Sequence, residues 1–108
     1  MKTQPTITEQ RRTTMGAAKL ERAAAMLKAI AHPLRIQIIE LLKGGKKLSV
    51  TEIYETLQIE QAIASQQLAI LKEKDVLDSE KEGKNCYYFL KYQHIELIIS
   101  SIEACQEC

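Results

Sequence analysis

The stretch from Leu57 to Leu90 constrains this chain more than any other, because it asks for a helix and a hairpin back to back. Leu57-Gln58-Ile59-Glu60 reads as a buried leucine and a turn, leading into a helix over about Gln61 to Lys74. Ala64, Leu68 and Leu71 fall at i, i+4 and i+7, the spacing that turns one helical face to a core. The other side carries Gln61, Ser65, Gln66 and Lys72, with Ala62 beside them. Amides and hydroxyls, in place of Glu/Lys pairs, reach base edges and phosphates, so the pattern predicts a recognition helix for a DNA major groove. Two strands follow, Val76 to Lys81 and Asn85 to Leu90, the second rich in aromatics at Tyr87, Tyr88 and Phe89. The hairpin closes at Glu82-Gly83-Lys84-Asn85 and makes a wing. The expected fold is mainly α with a small β-hairpin wing (α+β), a winged helix-turn-helix.

The flanking segments supply the remaining helices. Ser49-Val50-Thr51-Glu52 has the spacing of a capping box and opens a helix ending near Leu57. A helix from Pro33 to about Lys43 turns Leu34, Ile38, Leu41 and Leu42 inward and stops at Gly44-Gly45. His32-Pro33 separates it from an Ala-rich helix, since a residue before proline avoids the α region and proline suits a first turn. His32 beside that helix start is expected to cap. Residues 1–8 are expected to be a flexible N-terminus and 9–108 one domain, whose terminal helices, 9–31 and 93–107, serve dimerisation. On the first, Leu20, Ala24, Leu27 and Ala31 form one stripe; on the last, Ile95, Ile98, Ile99 and Ile102 do. That isoleucine density exceeds what so small a body needs to cover itself. Leu20, Leu27, Ile95, Ile98, Ile99 and Ile102 are therefore the expected dimer contacts.

Composition excludes more than it selects. A chain of 108 residues has room for one domain, and 45% hydrophobic residues are enough for its core. The net charge of +1 does not decide for or against nucleic acid. No stretch approaches the ~18 continuous apolar residues of a membrane span. Arg11-Arg12 is not followed by an apolar run, so the N-terminus does not read as a signal peptide, and cytoplasm is the expected compartment. Three cysteines, an odd number, suit a reducing compartment better than a disulfide framework. Gly44-Gly45-Lys46-Lys47 lacks the Gly-x4-Gly-Lys spacing of a phosphate loop. No nucleophile–base set or acid/base pair supports an enzyme.

Three segments, in order, resemble the ArsR/SmtB family of small winged-helix repressors, and the resemblance covers Leu27 to Cys108. Leu27-Lys28-Ala29-Ile30-Ala31-His32-Pro33-Leu34-Arg35-Ile36 is similar to its "LKALADPTRL" segment. Leu57 to Leu71 is similar to its recognition motif, and Glu82-Gly83-Lys84-Asn85-Cys86-Tyr87-Tyr88-Phe89-Leu90 to its wing signature. The resemblance implies a homodimer joined by the first and last helices, on a near-palindromic operator, with recognition helices about one turn (~34–36 Å) apart. It implies groove-facing roles for Gln61, Ser65 and Gln66, and phosphate contacts for Lys81 and Lys84. Arg35 matches a family arginine, with a DNA contact and an internal ion pair as alternatives. Glu60, Asp78 and Glu80 depart from the pattern by putting carboxylates near phosphate, which lowers the expected affinity and its salt slope.

The family also implies a signal. Ser49-Val50-Thr51 stands where arsenic-type sensors have Cys-x-Cys, and hydroxyls are poor ligands for soft metals. Pro33 to Gly45 has no cysteine for persulfide sensing. At the last helix, where zinc-type sensors place ligands, the chain offers Tyr92-Gln93-His94 and Cys105-Gln106-Glu107-Cys108. His94 lies ~16 Å from Cys105 along one helix. Zinc or a similar transition metal therefore requires His94 of one subunit and Cys105 and Cys108 of the other. Tyr92 replaces the expected carboxylate. A thiol redox signal at Cys105 and Cys108, and no effector there, are the other readings. Against the repressor stands a different class, a winged-helix protein-interaction module with weak or lost DNA binding.

Overall fold

Capping and proline placement set the helix boundaries. The computed structural model describes residues 16–106. The N-terminus expected to be flexible, the beginning of the helix expected from residue 9, and Glu107 and Cys108 lie outside them. Among these residues run α1 (Ala17–Ile30), α2 (Pro33–Leu41), β1 (Leu48–Ser49), α3 (Val50–Leu57), α4 (Gln61–Glu73), β2 (Leu77–Glu82), β3 (Asn85–Leu90) and α5 (His94–Gln106). His32 caps α2 as expected, its Nδ1 accepting from the Leu34 amide at 3.3 Å, with Pro33 in the first turn. Gly44 and Gly45, at φ 78° and 77°, turn the chain out of α2 in a conformation that L side chains resist.

The capping box at α3 is complete. The Glu52 amide donates to Ser49 Oγ at 3.1 Å, and the Ser49 amide donates to Glu52 Oε1 at 2.8 Å. Ser49→Ala should cost about 0.5–2 kcal/mol, read as a lower urea midpoint at unchanged slope. An unaltered midpoint would mean that the cap contributes nothing. Gln58 ends α3 at φ 56°, a left-handed conformation that bends the chain into α4.

The sheet order is β1-β3-β2, antiparallel throughout, with Leu48 opposite Tyr88 and Leu77 opposite Leu90. Glu82 pairs with Asn85, so the wing closes on Gly83 and Lys84, as the sequence indicates. One face of the hairpin carries Leu77, Ser79, Lys81, Cys86, Tyr88 and Leu90 and the other Asp78, Glu80, Tyr87 and Phe89, by alternation and register. The core joins Ile38, Ile39 and Leu42 of α2 and its C-terminus, Ile53 of α3, Leu68 and Leu71 of α4, Val76, Leu77 and Leu90 at the hairpin root, and Ile95 and Ile99 of α5. α1 reaches it through Met26, Ala29 and Ile30.

The isoleucine stripe of α5 divides, which corrects the expectation that all of it meets a partner. Ile95 and Ile99, one turn apart, are 3% and 4% exposed inside the protomer's own core. Leu97, Ile98 and Ile102 face outward at 60%, 37% and 52%. The physical reason is that α5 is apolar on two sides, and α2 covers only one of them. On α1, Leu27 is 53% exposed and Leu20 half-buried.

Candidate nucleic-acid interface

Burial of Ala64, Leu68 and Leu71 fixes how α4 is rotated. At 3.6 residues per turn, Ala62, Gln66, Ala69 and, near the end of the helix, Glu73 then point away from the core, and all are exposed. Gln61 and Ser65, also exposed, lie on the flank toward the wing, where Lys72 of the same flank donates to Ser79 Oγ at 2.7 Å. The Gln61, Ala62, Ser65 and Gln66 surface expected from the sequence is thus open along the first half of the helix. That half is where a recognition helix meets base edges. Lys72, expected among the groups available to DNA, is instead turned to the hairpin and braces it. Ala69 is an outward position the sequence reading passed over, since alanine gives no polar signal.

The wing adds cations at its tip. Lys81 is exposed and shares the hairpin face that α4 meets through Lys72 and Ser79, and Lys84 sits in the exposed turn. The acidic departures are displaced from this side. Asp78 and Glu80 occupy the opposite face, where Lys47 pairs with Glu80 at 2.9 Å and lies 5.0 Å from the centre of the Phe89 ring. Asp78 Oδ1 accepts from the Ser79 amide at 2.8 Å. Both carboxylates thus lie on the hairpin face opposite Lys81. Glu60 is different: it precedes α4, is exposed, and makes no side-chain cap bond. Its carboxylate stands at the N-terminal end of α4.

Arg35 is engaged inside the protomer, and its partners correct the ion-pair alternative. Its Nε donates to Gln67 Oε1 at 2.7 Å and its Nη1 to the Ala29 carbonyl at 3.2 Å. The contact is with an amide and a carbonyl, so it is no ion pair, and the guanidinium faces away from the open surface of α4. Gln67 carried no separate signal in the sequence, lying among neighbouring glutamines.

The α5 groups do not converge within a protomer. His94 opens the helix and Cys105 is exposed near its end, ~16 Å further along; Cys108 lies outside the described residues. No group of three or more His, Cys, Asp or Glu among the described residues is placed to hold a metal ion. A metal reading therefore rests wholly on an arrangement of two subunits. Cys86 is half-buried on the wing beside Tyr88, whose phenol is raised from 10.0 by burial and then by the Cys86 thiol. No described helix is long and apolar enough to cross a membrane.

Comparison with known proteins agrees with this geometry. Residues 32–79 match the family described as bacterial regulatory protein, arsR family. The transcriptional repressor PagR of Bacillus anthracis is 36% identical over 87 residues, 81% of this chain and 87% of PagR. Its crystal structure superposes with a TM-score of 0.72 at 35% identity, covering 79% of this chain and 97% of that one. The transcriptional activator HlyU of Vibrio cholerae is 32% identical over 78 residues, 72% of this chain and 71% of HlyU. Mb0332 of Mycobacterium bovis, described as a homodimeric winged helix-turn-helix DNA-binding domain, superposes with a TM-score of 0.76 at 25% identity, covering 89% of this chain and 88% of that one. With an open recognition helix, a basic wing tip and relatives matched along most of its length, this chain belongs to the arsR family of DNA-binding transcriptional regulators.

Proposed function

We propose that the protein is a homodimeric repressor that binds a near-palindromic operator and leaves it on a signal. The observation that carries this reading is the unobstructed outer face of α4, Ala62 and Gln66 foremost, set beside Lys81 and Lys84 on the wing. The outward apolar residues Leu27, Leu97, Ile98 and Ile102 support dimerisation through α1 and α5, the state described for Mb0332. PagR supports repression. The interaction-module alternative is weakened, with Glu80 paired with Lys47 on the far face of the hairpin, and retains only Glu60 at the start of α4.

The test is duplex selection from a random library, followed by binding across a salt series. Gln66→Ala should weaken the selected duplex by about 1–3 kcal/mol and flatten preference at one base position, with the salt slope kept. Lys84→Ala should instead reduce the slope by about one, without changing sequence preference. Failure of the wild type to select any sequence would sink the reading. On a template carrying the selected site, added protein should lower transcription; a rise would assign it the activator role of HlyU.

A further inference from the structure

Pro33 leaves a gap in the backbone bonding of α1. In a continuing helix the Ala29 carbonyl would accept from residue 33, but proline has no N–H to give. Arg35 supplies the missing donor through Nη1, and a cation at a helix C-terminus also complements the helix dipole. The same guanidinium holds Gln67 at the middle of α4 through Nε. A planar fork with fixed donor directions suits a bridge between two elements better than a lysine does.

Among the described residues no other side-chain hydrogen bond or ion pair ties α1 to α4. A groove of about 940 Å³ runs beside the bridge, lined by Ala24, Leu27, Lys28, Arg35, Ile70 and Lys74 among others. The two helices meet through the core on one side of this groove, and the two hydrogen bonds of Arg35 cross its edge. We infer that Arg35, through Gln67, is a positioning residue for operator recognition: it sets the recognition helix relative to α1, and so the separation of the two recognition helices in a dimer. The inference rests on the dimeric reading above. Arg35 touches no DNA in it, and neither does Gln67.

The test uses the full chain and two selected duplexes, one with both half-sites and one with a single half-site, each measured across a salt series. Gln67→Ala should lose about tenfold on the full site, the scale of one hydrogen bond to a charged group, and under about twofold on the half-site. Full-site duplexes with one base pair inserted between half-sites should be rejected by the wild type and tolerated by Gln67→Ala. Gln67→Glu keeps an acceptor for Arg35 and should restore the wild-type pattern. Arg35→Ala should match Gln67→Ala without adding to it in the double variant, at an unchanged salt slope. Equal losses on both duplexes would make Gln67 a base-reading residue and overturn the inference. So would a slope lowered by about one in Arg35→Ala, the sign of a phosphate contact, or wild-type behaviour of Gln67→Ala. A wild type that gains nothing from the second half-site overturns the dimeric reading itself, before any variant is measured.

Discussion

Leu68→Ala should lower stability by about 2–5 kcal/mol, a large share of the roughly 5–15 kcal/mol that holds such a domain folded. Leu68 is fully buried in the cluster that joins α2, α3, α4, the hairpin root and α5. Truncation removes transfer energy and leaves a cavity that its neighbours, drawn from separate elements, cannot all close. The urea midpoint should fall with the slope unchanged, and DNA binding should fall in step with the folded fraction. Ala69→Ser, next to it but on the outer face, should stay within about 0.5 kcal/mol. A Leu68→Ala protein as stable as the wild type would mean that α4 is not seated as described.

The second large effect concerns the outer side of α5. On the dimeric reading, Ile102→Asp should weaken self-association by roughly a hundredfold or more. A two-fold interface places two unpaired carboxylates in apolar surroundings, at a cost of at least about 3 kcal/mol. Ile102 is 52% exposed in the protomer, so its replacement leaves the internal core intact. Ile99→Asp should behave differently, unfolding the protomer itself, because Ile99 is 4% exposed. Sedimentation at micromolar protein separates the outcomes. A dimer undisturbed by Ile102→Asp would remove this face from the interface.

The contrast between those isoleucines shows what the sequence made legible. The inward face of α4 was readable because Ala64, Leu68 and Leu71 repeat at helical spacing among polar neighbours. The wing turn was readable because Gly83 supplies a positive φ between two strand-like runs. On α5 the pattern marks both sides as apolar and carries no sign of which one the protomer covers. Pairings between distant positions were invisible for the same reason: Arg35 and Gln67 stand 32 residues apart, Lys47 and Glu80 33. Only the fold brings them within reach. β1 went unseen because two residues have no period.

Ser49 belongs to two elements at once. It pairs with Tyr87 across the sheet and caps α3 with its hydroxyl, while Lys72 and Ser79 join the far side of the hairpin to α4. On the DNA-bound reading proposed above, the recognition helix and the wing are thus held together as the two arms of one caliper, α3 and α4 each being tied to the hairpin. When such a tool meets a site of imperfect shape, the accommodation falls on the nucleic acid. Selection among sites then includes base pairs that no side chain reaches, through the ease with which each sequence bends and twists to fit.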